Sequence, residues 1–459
     1  MRIWITTFAV TLCSVAKPQG NWADAGMPQM QSPANWIYDL YVDTAEAAMY
    51  VCGHVQVAGG QWGLMKYSQG QWDTLGLFNY VVKTVVRWQD TLIVGGSFTT
   101  VDGAPLSKVA CYANGLWLPF GDISNGTINK LSALGNVLYA VGGFDYADGH
   151  FCNGVAKRVG NEWVNLGTVP GMTSNTQIMD IALFQDEPYA CGSLNLPDGT
   201  KGIMRFNGTD WVAVGPGVLG GFSGLRALAV YNGELYGGGS VRVTDGNAGH
   251  GIMRWDGSQW HEVGGHLQDA YCGYSFSAPV YDMVVHDNKL FVVGGIGCAG
   301  GVPAQRIAIW DGTKWCGMGT SFPMSATTTS IAFLQDTLYV AVAPGNIIDG
   351  LTVNGVAKWI GGAYADTCSV PVGMSEVSHM HPGLVVHDLG GGVFEVSGLP
   401  ATERSIAIHD AMGRLVRHIP LASGQGSVRI DLSGQPPGIY LLQGTRKGYS
   451  GKVLHRGSW

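Results

Sequence analysis

Apolar positions in this chain come in short bursts punctuated by glycine, and the bursts recur in a fixed order. Leu235 to Gly264 holds one complete set: an apolar strand ending in glycines, a polar loop, a second strand at Ile252 to Trp255, a tight Asp256-Gly257 turn, and a third strand anchored by Trp260. Seven copies of the first element run from an aromatic or apolar residue into small ones, beginning at Tyr50, Ile93, Tyr139, Tyr189, Tyr236, Phe291 and Tyr339. Their spacing of roughly 43 to 55 residues belongs to propeller-type repeats rather than to the shorter helical solenoids. After each comes a short apolar strand, as in Ile203-Met-Arg-Phe206 and Val356-Ala-Lys-Trp359, then a glycine-bearing turn and Trp72, Trp117, Trp163, Trp211, Trp260 or Trp315. Before each lies a run apolar on both faces, such as Ile178 to Phe184 and Val280 to Val285, the pattern of a strand sandwiched between neighbouring sheets. Four short strands per unit, seven times over, predict an all-β fold, a seven-bladed β-propeller whose edges are short and protected.

The ends of the ring are legible in the same terms. Gly20-Asn-Trp22-Ala-Asp-Ala-Gly26 matches the Trp-bearing fourth strand, compared with Gly70-Gln-Trp72-Asp-Thr-Leu-Gly76, yet it precedes the first unit, while the seventh unit has Tyr364 where the Trp belongs. The N-terminal strand is therefore expected to complete the seventh blade. The alternative is that Ala363 to Thr367 fills that place and Trp22 packs elsewhere.

Composition agrees with a turn-rich β protein: among 459 residues there are 70 Gly and 15 Trp, and only 13% are charged. A net charge of −7 gives no basic stripe, which argues against a nucleic-acid partner. Arg2 followed by the apolar run Ile3 to Ala16 has the length of a signal-peptide core rather than of a membrane span, with cleavage expected after Ala16 or Gly20. Nothing later is long and apolar enough to be a membrane-spanning helix. The expected layout is a signal peptide at 1–20, the propeller at 21–368, a polar linker at 369–382 and a module at 383–459. In that module short alternating strands, among them Ser405 to Asp410, Val428 to Ser433 and Pro437 to Leu442, predict a small β-sandwich.

Two resemblances sharpen this. The Gly-Gly, Val-Ala-Lys-Trp and Trp features, with the phrase Gly95-Gly-Ser-Phe-Thr-Thr-Val-Asp-Gly103, resemble the kelch-like, galactose-oxidase-like bacterial propellers over about residues 20 to 368. The turns Asp256-Gly-Ser-Gln-Trp260 and Asp311-Gly-Thr-Lys-Trp315 are similar to the Asp-box of sialidases but one residue short, a likeness of turn chemistry. Over the last 75 residues or so, Asp410-Ala-Met-Gly413-Arg414, Ile430 to Ser433, Gly438-Ile-Tyr440 and Lys452 resemble the type A C-terminal sorting domain of type IX secretion substrates in the Bacteroidetes group. That resemblance implies Asp410, Gly413, Arg414, Gly438, Tyr440 and Lys452 as the sorting motif, the type IX machinery as a partner, and a secreted or outer-surface location.

Binding residues are expected on the face where loops vary, above all at 145–153, 241–251, 266–279 and 296–305. Counting nine residues back from each second-strand aromatic gives Thr84, Lys130, Asp180, Ala227, Asp282 and Ser330, with Asp39 equivalent in the first unit. Asp39, Lys130, Asp180 and Asp282 are thus expected near one mouth of the channel. There they either hold a polar ligand or structural cation or cap strand starts and wet the channel. Tyr271, Tyr274 and Phe276 on the longest loop are candidates for stacking on a sugar or peptide. Cys272 and Cys298, on loops of one unit, are the preferred disulfide pair, while Cys52 and Cys191 read as free buried thiols. No zinc, metalloprotease, nucleophile-elbow, phosphate-loop or EF-hand pattern is present, so neither a catalytic metal nor a cofactor is expected. The leading functional expectation is a binding protein for a glycan, peptide or surface polymer. The rival is a carbohydrate-active hydrolase or lyase using the acidic residues at the mouth.

Overall fold

The computed structural model describes residues 21–361 and 385–455, apart from 31–35, 58, 168, 170, 172–175, 221–223, 270–277, 319–321, 324–325, 391, 398, 400–403, 411–413, 437 and 445–449. The expected signal peptide and linker, and Tyr364, lie outside the described residues. The chain divides into two compact units, 1–369 and 370–459.

Among the described residues of the first unit, seven antiparallel sheets of four or more strands follow one another in chain order, beside three smaller sheets of two or three strands. Each of the seven begins with an inner strand: Ile37–Asp43, Val82–Trp88, Ile128–Leu134, Ile178–Phe184, Leu225–Tyr231, Val280–His286 and Thr328–Leu334. These pair outward with a second, third and fourth strand. Every inner strand packs along the next, and Thr328–Leu334 packs back on Ile37–Asp43, so the seven form a closed cycle. No α-helix occurs among the described residues, and no helix is long and apolar enough to cross a membrane. The class is all-β and propeller-like.

The glycine towards the end of the second strand has a steric cause, seen at Gly192 within Glu187–Asn195. A Cβ on Gly192 would sit 2.0 Å from the Gln177 carbonyl oxygen, which accepts the Ser193 N–H at 2.8 Å. The chain entering the inner strand therefore presses against the second strand with no room for a side chain. The tryptophans have an equally regular task. Trp72, Trp117, Trp163, Trp211, Trp260 and Trp315 each donate their indole N–H to a backbone carbonyl of the preceding sheet or its exit: Ala25, Leu75, Phe120, Leu166, Val214 and Val263. Each indole fills the inter-sheet core and ties one sheet to the last.

Closure follows from this rule. Trp22–Asp24 pairs with Val356–Trp359, Trp22 opposite Trp359, as the fourth strand of the seventh sheet. Trp22 is 1% exposed and packs edge-on against Phe322 and Trp359. Ala25, just beyond it, is the acceptor for Trp72 of the first sheet.

The second unit holds a three-stranded sheet (Val385–Gly390, Val393–Ser397, Ser427–Asp431) and a four-stranded one (Leu415–Pro420, Ser405–Asp410, Gly438–Gly444, Ser450–His455). Phe394, Val396 and Ile430 of the first share one core with Ile406, Ile408, Tyr440 and Leu442 of the second.

Candidate functional site

All seven inner strands carry one extra residue near their start, a register shift lying between Ile37 and Asp39, Val82 and Thr84, Ile128 and Lys130, Ile178 and Asp180, Leu225 and Ala227, Val280 and Asp282, and Thr328 and Ile331. The positions counted from the sequence, Asp39, Thr84, Lys130, Asp180, Ala227 and Asp282, fall just after it, and Ser330 lies within the shift of the seventh strand.

Their side chains form an inner tier whose first task is hydrogen bonding between sheets. An inner strand is an edge, so some of its N–H groups need partners from elsewhere. Asp39 Oδ2 accepts from Val85 N at 3.4 Å, Thr84 Oγ1 from Leu131 N at 3.2 Å, Asp180 Oδ2 from Leu228 N at 2.8 Å, Asp282 Oδ2 from Ile331 N at 3.1 Å, and Ser330 Oγ from Leu40 N at 3.1 Å. Each time, the acceptor reaches the residue after the equivalent position in the following sheet. Lys130 and Ala227 cannot accept. In the sheets that follow them Asp180 and Asp282 compensate, their Oδ1 atoms taking the adjacent Ile181 N–H at 2.9 Å and Met283 N–H at 2.8 Å. Carboxylates stand where two acceptors are required.

Charge is the second property of this tier. Lys130 reaches across the mouth to Asp39, Nζ to Oδ1 at 3.3 Å. Burial alone would lower its pKa, but Asp39, Asp180 and Asp282 outweigh that and raise it. Burial raises the Asp180 carboxyl to about 6 against the pull of Lys130 and the two N–H donors. It raises Asp282 as well. Among the described residues no group of three or more His, Cys, Asp or Glu side chains is placed to hold a metal ion.

The residue inserted by each register shift belongs to an outer tier that the sequence reading missed. It comprises Tyr38, Lys83, Asn129, Met179, Arg226, Tyr281 and Thr329. Tyr38 packs on His54 at 5.5 Å between centroids, His54 on Trp62 at 5.1 Å, and Trp62 on Tyr80 at 6.4 Å. Tyr38 is 39% and Tyr80 53% exposed. Burial and the nearby Lys83 lower the His54 pKa, which favours the neutral ring. Lys83 lies over Tyr38 at 5.7 Å and donates to Asn129 Oδ1 at 2.8 Å. From the fifth sheet Arg226 lies over Tyr281 at 5.2 Å, and Tyr281 packs on Trp36 at 5.6 Å. The signal was one position upstream of each counted residue.

The remaining candidates separate. Tyr271, Cys272, Tyr274 and Phe276 lie outside the described residues. Cys298 is disulfide-bonded, as is Cys316, whereas Cys52 and Cys191 are free and buried. Arg205 pairs with Glu187 at 2.7 Å and Arg254 with Glu234, a structural cross-strand pair. The Asp256 and Asp311 turns are closed by their own Oδ1 atoms, which accept from Ser258 and Gln259 and from Thr313 and Lys314. In the second unit, Asp410 accepts from Arg414 N at 2.9 Å and Nε at 2.8 Å, Tyr440 donates to the Pro436 carbonyl at 2.7 Å, and Gly438 and Lys452 sit on paired strands. Gly413 lies outside the described residues.

The fold and mouth thus define a propeller-like all-β protein with a two-tiered polar and aromatic mouth. No protein-family model matches the chain, and no curated protein matches it. Among solved structures, it is similar to the extracellular domain of a putative one component system from B. thetaiotaomicron, at 12% identity and a TM-score of 0.43 over 92% of this chain and 55% of that one. The chain spans about half the length of that protein. It is also similar to an exo-beta-1,3-galactanase from Phanerochaete chrysosporium, at 10% identity and a TM-score of 0.27 over 95% and 94% of the two chains. Likenesses this low carry no argument about activity.

Proposed function

We propose that this chain is a seven-bladed β-propeller followed by a small β-sandwich that acts as a type IX sorting module. The exported propeller binds a glycan, peptide or surface polymer at the mouth of its ring without transforming it, in a secreted or outer-surface setting. The observation that carries this reading is the division of labour at the mouth. The inner carboxylates are committed to inter-sheet N–H groups and Lys130, while Tyr38, Tyr80 and Arg226 of the outer tier are open to solvent. Proton transfer needs a carboxyl free to approach a substrate, whereas recognition needs exposed apolar faces with a few polar groups.

The rival hydrolase reading draws on Asp180, whose carboxyl is raised to about 6, the range of a general acid. Two measurements separate the readings. A glycan and peptide array with the purified chain is expected to return a ligand, and a blank array counts against binding. Asp180→Asn and Asp282→Asn each keep one of the two acceptor oxygens the sheets use, so their melting temperatures are measured alongside. Turnover of an array-positive glycan that disappears in both variants would establish the enzyme instead.

A further inference from the structure

We infer that the outer tier takes a saccharide bearing a carboxylate, a uronic-acid sugar whose ring lies on the exposed aromatics and whose carboxylate meets Arg226 and Lys83. This rests on the binding reading above and names its ligand class.

The argument begins with Arg226. In the first unit Arg87, Arg158, Arg205, Arg242 and Arg254 each pair with an aspartate or glutamate. Among the described residues Arg226 has no such partner: it is exposed, and its guanidinium lies over the Tyr281 ring at 5.2 Å. The N–H donors of a guanidinium lie in one planar fork, which receives a carboxylate through two parallel bonds. Lys83, which lies over the Tyr38 ring, donates to the neutral amide oxygen of Asn129. Two cations for which the described residues supply no carboxylate partner therefore lie over outer-tier aromatic rings, Arg226 over Tyr281 and Lys83 over Tyr38, in a chain whose net charge is −7. Both act on the ionisation of residues there: Arg226 on Tyr38, and Lys83 on His54.

The aromatics select the rest of the ligand. Ring faces carry negative quadrupole density, which suits the C–H-lined face of a pyranose. Tyr38 and Tyr80 present such surface, and the Tyr38 hydroxyl and His54 Nε2, which meet each other at 3.3 Å, can exchange that contact for sugar hydroxyls. A peptide entering as an added strand would need free N–H groups on a sheet edge. At the mouth the inner-strand N–H groups of Leu40, Val85, Leu131, Leu228 and Ile331 are already bonded to the neighbouring sheet. The carboxylates beneath fix the depth of binding: Asp39, Asp180 and Asp282 repel an anion, so the ligand carboxylate stays at the outer tier.

Titration calorimetry on the full chain tests this with trimers of galacturonic and glucuronic acid against neutral trimers of galactose and glucose. An acidic trimer is expected to bind at least about tenfold more tightly than its neutral counterpart, the factor for about 1.4 kcal/mol. Arg226→Gln, at an exposed position, is expected to remove that preference while leaving the melting temperature unchanged. Tyr80→Ala is expected to weaken both sugar classes. Equal affinity for acidic and neutral trimers, or an acidic preference surviving in Arg226→Gln, overturns the inference and leaves the broader binding reading standing. Silence toward all four trimers with a peptide-positive array also overturns it. Silence toward every trimer and a blank array removes both readings.

Discussion

Asp180 holds its proton to about pH 6 because burial outweighs Lys130 and two N–H donors. Its folded pKa lies above the ordinary carboxylate value, so between about pH 4 and 6 the folded state binds more protons than the unfolded one. The stability this group contributes is complete below about pH 4 and is lost as pH rises through 6. Thermal melts across that range are expected to show wild-type stability declining relative to Asp180→Asn. Removing the compensating ammonium with Lys130→Met is expected to raise the Asp180 and Asp282 carboxyls further, a shift read by carbon-13 titration of the side-chain carboxyls. A change at neither carboxyl would mean that Lys130 serves Asp39 alone. Glycine makes a sharper contrast still. In Gly192→Ala the new methyl meets the Gln177 carbonyl at 2.0 Å, whereas at Gly199 it meets nothing within 4 Å. Overpacking against fixed backbone is expected to cost about 3 kcal/mol or more. The left-handed strain alone at Gly199→Ala costs about 1 kcal/mol. Urea unfolding of the two variants measures the difference.

At the scale of the strand, the six indole-to-carbonyl bonds make each sheet depend on its predecessor. Trp211→Phe keeps most of the ring volume but leaves the Leu166 carbonyl, an acceptor at 2.6 Å, without its donor. A loss of about 1 to 2 kcal/mol is expected in denaturant titration, and an unchanged midpoint would show that packing alone joins the sheets. The strands themselves were readable in the sequence because burial on both faces leaves continuous apolar runs, and the inner-tier positions because a fixed count from Tyr139 or Tyr189 lands on Lys130 or Asp180. The outer tier was not readable. Strict alternation sends neighbours such as Tyr38 and Asp39 to opposite faces, and only the inserted residue, a feature of register rather than composition, brings both to the mouth. Nor did the sequence distinguish a carboxylate that waits for a ligand from one that serves the backbone. That difference depends on Leu228 and Ile331, which stand 48 and 49 residues along the chain from Asp180 and Asp282.

At the scale of the whole chain, two units with separate cores are expected to give two calorimetric transitions. Trp22→Ala, which removes a side chain only 1% exposed, is expected to weaken the first unit by about 3 to 5 kcal/mol and to leave the other transition in place. A shift in both would mean that the units unfold together. The pairing that completes the seventh sheet also has a kinetic side. Asp24 and Asn354 meet over a separation of 330 residues, and contacts this distant form slowly because the intervening loop must be closed first. During that interval Val356–Trp359 offers a bare strand edge whose natural partner is short and interchangeable between molecules. At high concentration the same clasp can close between two chains, so strand exchange through the Trp22 segment is the misassembly expected of this architecture.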